Sequence, residues 1–87
     1  MPAAEEWTIS ALTQAMNQMV ADKGWYDGDS PAPQTPRNIA LSLAIEVAEV
    51  LEHFQWGQEA DRQSLAAELA DVALYLLQLA YLSDIDL

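Results

Sequence analysis

The 87 residues suffice for one small domain, close to the size at which a lone hydrophobic core is marginal. Fourteen Asp and Glu against three Lys and Arg give a net charge of −11, which disfavours general nucleic-acid binding, because that needs cations to displace counterions. The lack of cysteine excludes disulfides, thiolate metal sites and thiol nucleophiles and fits a reducing cytoplasm, and no basic-then-apolar N-terminal segment marks a signal peptide.

Taken in chain order, the first predicted helix runs from Thr8 to about Asp22. Ile9, Leu12, Ala15, Met16, Met19 and Val20 recur in it at three- and four-residue steps. Thr8 or Ser10 can cap it, and Lys23 followed by Gly24 marks its end. A loop rich in Gly, Pro, Asp and Ser spans Gly24 to Thr35. Thr35-Pro36 then reads as an N-cap and a first-position proline, opening a second helix from about Pro36 to Gln55 that stops near Trp56-Gly57. A polar connection, Gln58 to Asp61, leads to a third helix from about Arg62 to Leu82. Neither later helix carries an internal Pro or Gly, and no segment alternates like a strand, so the class is all-α. Residues 1–87 form a single domain of three main helices.

Hydrophobic residues make up 52% of the chain, more apolar surface than three helices can hide, so self-association is expected. The longest apolar stretches are broken by Glu46, Glu49, Glu68 and Asp71, which argues against a membrane span. Those four residues are the most informative in the chain. Glu46-Val47-Ala48-Glu49 and Glu68-Leu69-Ala70-Asp71 each put two carboxylates on one helix face.

On a helical wheel Asn38, Ser42, Glu46, Glu49 and His53 fall within roughly 80° of one another, and nearly everything else on that helix is apolar. Ser64, Glu68, Asp71, Tyr75 and Gln78 form the same kind of stripe on the third helix. A helix that is apolar on most sides is expected to be buried on most sides, so the two stripes are expected to be internal and to face each other. Two such charges about 4 Å apart repel by on the order of 4 kcal/mol at an effective dielectric of 20. Either some carboxylates take up protons or a cation neutralises them. Carboxylates without Cys or several His ligands favour hard ions, Mg²⁺ or Mn²⁺, over Zn²⁺.

Other motifs are excluded by spacing. A di-iron bundle needs Glu-x-x-His on two helices, but the only histidine, His53, lies four residues after Glu49. Asp27-Gly28-Asp29 is too short for an EF-hand loop, and there is no Gly-rich phosphate cradle.

At the two acidic pairs, separated by 18 residues, the chain resembles the MazG-like all-α nucleoside triphosphate pyrophosphohydrolases. Their signature is Glu-x-x-Glu, a gap, then Glu-x-x-Asp. The runs Thr35 to Leu41, Glu52 to Trp56 and Glu68 to Leu76 look closest to the small dCTP-pyrophosphatase-like branch, and the resemblance covers about Trp25 to Leu87. It implies an antiparallel helical bundle completed by oligomerisation, as a homodimer or a dimer of dimers. It implies hydrolysis of a (d)NTP between the α and β phosphates to a monophosphate and pyrophosphate, as cytoplasmic nucleotide-pool house-cleaning. It also implies Mg²⁺, with Mn²⁺ as a substitute, held by Glu46, Glu49, Glu68 and Asp71. Glu49 or Glu46 would orient or deprotonate the attacking water. Family members continue with a further basic helix, which this chain is expected to lack.

For substrate binding, the resemblance and the loop context single out Trp25, which can stack on a base or simply pack, as can Trp56. Asn38 can bond substrate or satisfy the helix start, and Lys23 and Arg37 can meet phosphates or stay solvated. His53 can bond Glu49 or serve structure alone. The competing function is a non-catalytic acidic helical oligomer that binds nucleotide or a basic partner.

Overall fold

In the computed structural model, which describes residues 6–57 and 59–87, Thr8 starts the first helix, its Oγ1 accepting the Ala11 N–H at 3.0 Å. Helix α1 spans Ile9–Asp22. It ends in a paired-bond reversal: Gly24, at φ +76°, donates to the Ala21 carbonyl at 3.0 Å, and Trp25 donates to the Val20 carbonyl at 3.2 Å. Only a residue tolerant of positive φ closes this motif readily, and its usual companion is an apolar contact between the residues placed here by Trp25 and Val20. The turn thereby sends Trp25 back along α1.

Helix α2, Pro36–Glu52, begins as the sequence predicts, with Thr35 Oγ1 accepting the Asn38 N–H at 3.2 Å and proline in the first turn. It ends earlier than the expected Gln55. After Glu52 the backbone tightens: Phe54 and Gln55 donate to the carbonyls of Leu51 and Glu52, three residues back, and Gly57 at φ +73° reverses the chain. Gln58, the first residue of the expected connection, lies outside the described residues. Helix α3 is Arg62–Leu82. Asp61 caps it, its Oδ2 accepting the Ser64 N–H at 3.0 Å and the Ser64 hydroxyl at 2.6 Å, so Ser64 is engaged at the cap and not along the polar stripe. At the other end Ile85 donates to the Ala80 carbonyl at 2.8 Å across Asp84, which holds φ 57° without being glycine.

The described residues form three helices and no strand, so the chain is all-α. Helix α3 packs against both α2 and α1, with α2 and α3 antiparallel across their short connection. The core is small. Met16, Val20 and Leu77 are buried together with Tyr26 and Leu74 against them, and Ile39 is buried on α2.

Helix α2 is turned inside out. Ser42, Glu46, Glu49 and His53 are half-buried, whereas Leu41, Ile45, Val47, Leu51 and Phe54 are exposed. The expected internal stripe is present, but burial on most sides is not. Among the described residues nothing covers the apolar side of α2, and Leu69 and Leu76 of α3 are exposed as well. By length and composition α3 would also pass for a membrane-crossing helix, with 21 residues and a mean hydropathy of 1.5 in its most apolar window. Glu68 and Asp71 did not break it on that measure. Both carboxylates instead meet α2, through contacts that form the site.

Candidate functional site

Antiparallel packing sets the second turn of α3 beside the middle of α2. One carboxylate oxygen from each of Glu46, Glu68 and Asp71 lies within 4.8 Å of the other two. Two oxygens of these side chains, Glu46 Oε2 and Glu68 Oε2, are buried and accept no hydrogen bond among the described residues. Such acceptors are rarely left bare, because each has lost water without replacement. As carboxylates both can only accept; a shared proton or a cation must stand between them. The Glu46 carboxyl is accordingly pushed up to about 7, first by the hydrogen bond it can share with Glu68, then by burial and by the charge of Glu49. Three convergent carboxylates, two of which carry an unsatisfied buried oxygen, fit a hard divalent ion. Glu49 stands beside Glu46 and acts on it, yet lies outside the group of three.

A cavity of about 460 Å³ adjoins the carboxylates. Ser42 and Glu46 line it from α2, and Asp71, Tyr75 and Gln78 line it from α3, so the two predicted stripes do share one space. Met16, Met19 and Val20 of α1 close its apolar side, with Trp25 and Gln34 from the loop. One end is therefore acidic and the other apolar and aromatic, with two side-chain amides. Such a cavity suits a ligand whose charged part can reach a metal and whose planar part can lie among thioethers and an indole.

Of the residues the sequence singles out for substrate, Trp25 lines the cavity. Lys23 does not, but its Nζ sits 5.2 Å from the centre of the Trp25 ring, within cation–π range. Asn38 turns to the helix start, its Nδ2 donating to the Pro33 carbonyl at 2.9 Å. Arg37 is exposed and Trp56 is 79% exposed, and neither lines the cavity. His53 caps α2 and makes no hydrogen bond to Glu49. Its charge adds to the effect of Ser64, whose hydrogen bonds hold the Asp61 carboxyl below its usual value.

Sequence reasoning missed a bonded chain of polar side chains at the amide end. Gln78 Nε2 donates to Gln34 Oε1 at 2.8 Å and to the Tyr26 oxygen at 3.4 Å, and the Tyr26 hydroxyl donates to Asn17 Oδ1. Burial raises the Tyr26 phenol above its ordinary value despite the opposing bond from Gln78. Gln78 did stand on the predicted α3 stripe. Gln34, Tyr26 and Asn17 belong to a loop and to α1, where no periodicity marks them.

Comparison with known proteins points the same way. The chain is 32% identical over 92 residues to dCTP pyrophosphatase 1 of Rattus norvegicus, a match covering 94% of this chain and 51% of that protein. It is 31% identical over 94 residues to dCTP pyrophosphatase 1 of Bos taurus, covering 97% and 53%. For the Homo sapiens protein of the same name the identity is 30% over 92 residues, covering 94% and 51%. The resemblance to the small dCTP-pyrophosphatase-like branch is borne out. No family model matches the chain, the MazG-like family included. The chain spans about half the length of the curated relatives it matches.

Proposed function

We propose that this chain hydrolyses a nucleoside or deoxynucleoside triphosphate between its α and β phosphates, giving the monophosphate and pyrophosphate, with Mg²⁺ as cofactor and Mn²⁺ as a substitute. One observation carries the proposal: buried carboxylate oxygens without donors, on Glu46 and Glu68, stand beside a cavity whose far side is apolar and aromatic. The similarity to proteins named dCTP pyrophosphatase 1 supports the same chemistry.

Glu46, Glu68 and Asp71 would hold the divalent ion. When bound, such an ion screens phosphate charge and acidifies a coordinated water. We assign Glu49, with Glu46 as the second choice, to hold the attacking water and take its proton. The water oxygen bonds to phosphorus, the α–β anhydride bond breaks, and pyrophosphate leaves with the electron pair. Trp25, Met16 and Met19 would receive the base, and Lys23 would lend positive charge at the rim. The reaction belongs to house-cleaning of the cytoplasmic nucleotide pool. A second copy of the chain is the proposed cover for the apolar outer side of α2; a well-folded dilute monomer in sedimentation overturns that part.

The alternative, a non-catalytic acidic oligomer that binds nucleotide or a basic partner, is favoured by one feature. No Lys or Arg lines the cavity, so polyphosphate would depend on the ion for positive charge. Pyrophosphate release from a panel of NTPs and dNTPs, in Mg²⁺, Mn²⁺ and EDTA, separates the two. Metal-dependent release supports hydrolysis, and nucleotide binding without release supports the alternative.

A further inference from the structure

Gln78 is buried to 3% exposure, and among the described residues it is the one polar side chain buried so fully. A buried amide is costly unless its donors and acceptor are matched. Both hydrogens of its Nε2 are taken, by Gln34 Oε1 and by the Tyr26 oxygen. Neither partner is free to turn. Gln34 donates its own Nε2 to the Ala32 carbonyl at 2.7 Å. Tyr26 donates to Asn17, whose Nδ2 is held by the Thr13 carbonyl at 3.1 Å. The network thus runs between two backbone carbonyls and fixes which way the Gln78 amide points.

Gln78 Oε1 accepts no donor from the described residues. It is not sealed away either, since the buried oxygens without partners belong to Glu46 and Glu68. Gln78 lines the 460 Å³ cavity, which puts that space within reach of its free acceptor. It lies seven residues after Asp71, two helical turns or about 10 Å along the axis, with Leu74 and Tyr75 between them on the same wall. A nucleotide with its phosphates at the carboxylates would place its base in the apolar slot and the base edge toward Gln78.

We propose that Gln78 is a specificity-determining residue that accepts a hydrogen bond from an exocyclic amino group on the base edge; this rests on the nucleotide-hydrolysing function proposed above. A keto oxygen at that position would set two acceptors against each other, and the fixed amide cannot flip to donate. Cytosine is therefore preferred to uracil, and adenine to hypoxanthine. Gln34, itself held by the Ala32 carbonyl, acts through Gln78 as the positioning residue.

The test measures kcat and KM with Mg²⁺ for both amino–keto pairs of deoxynucleoside triphosphates. The full chain is compared with Gln78→Met, which keeps length and removes the acceptor, and with Tyr26→Phe, which leaves the acceptor held by Gln34. Gln78→Met is expected to lower the amino-to-keto ratio of kcat/KM about tenfold, mainly through KM, while Tyr26→Phe keeps the ratio within about twofold of the parent. A ratio unmoved by Gln78→Met overturns the role of Gln78 and leaves the hydrolase standing. Absence of release from every nucleotide by the parent chain overturns both. Should Gln78→Met not fold, the parent chain still decides: about a tenfold loss from cytosine to the amino-free pyrimidin-2-one analogue supports the proposal, and equal use of the two overturns it.

Discussion

The two ends of the cavity handle buried polarity in opposite ways. At the amide end, Gln78, Gln34, Tyr26 and Asn17 bond one another and finish on backbone carbonyls, with Gln78 Oε1 left as a free acceptor. At the carboxylate end, Glu46 and Glu68 each carry a buried oxygen that accepts no hydrogen bond among the described residues. A completed network holds a shape and contributes to folding, whereas an incomplete one costs stability until a ligand completes it. Under the proposed function the carboxylate end would take the ion, and the amide end would hold orientation. Substitutions should have opposite signs at the two ends.

The largest effect is expected for Asp71→Asn. It keeps the side-chain shape but replaces one ligand carboxylate, so metal-dependent pyrophosphate release should fall by at least about 100-fold, more than typical losses from perturbing a ligand's supporting contacts. Helical content in EDTA should be unchanged, since Asp71 is exposed and forms no cap. Near-normal turnover would remove Asp71 from the site. Next comes the ion itself. Mg²⁺ at about 100 times its dissociation constant should add roughly 2.7 kcal/mol to the parent chain, and much less to Asp71→Asn. Melting temperatures that ignore millimolar Mg²⁺, Mn²⁺ and EDTA alike would leave the carboxylates without an ion.

The carboxylate end was legible in the sequence and the amide end was not, for a physical reason. Glu46, Glu68 and Asp71 are fixed by helical period, and Pro36, Thr35 and Gly24 announce the helix limits that set them in register. The α3 limits, Arg62 and Leu82, followed from the same local signals. Gln78 meets Gln34 and Tyr26 across 44 and 52 residues of chain, and no local pattern encodes a loop folding back onto a distant helix. The end of α2 was misjudged because tightening to three-residue bonds after Glu52 leaves the apolar pattern intact through Phe54. Burial of the outer side of α2 was expected from its composition, but composition does not distinguish packing within a chain from packing between chains. Leu51, 70% exposed, is the plainest case.

At the amide end, Tyr26→Phe should destabilise the metal-free protein by about 1–3 kcal/mol. The change leaves Asn17 Oδ1 without a donor and one Gln78 hydrogen without an acceptor, both part-buried. Denaturant unfolding in EDTA measures it. An unchanged midpoint would mean that water replaces the phenol, and the amide end would then be no better completed than the carboxylate end.

Glu46→Gln should do the reverse, and pH reveals why. In the metal-free fold the Glu46 carboxyl is held near 7, above its ordinary value of 4.5, so the folded chain binds this proton more tightly than the unfolded chain does. Where the folded state holds more protons, stability falls as pH rises. The contribution is therefore fully present below about 4.5 and is lost as pH climbs through about 7. Glutamine carries no charge at any pH and can donate to the Glu68 oxygen, doing permanently what the proton does at low pH. Melting in EDTA from pH 5 to 8 should show the parent losing stability across that window, while Glu46→Gln loses less and is the more stable of the two at pH 8. In Mg²⁺ the order should reverse at pH 8, because the ion needs the carboxylate that the variant lacks. Parallel curves for the two proteins in EDTA would show that Glu46 and Glu68 are not opposed in the folded chain, and the contrast between the two ends of the cavity would fall with them.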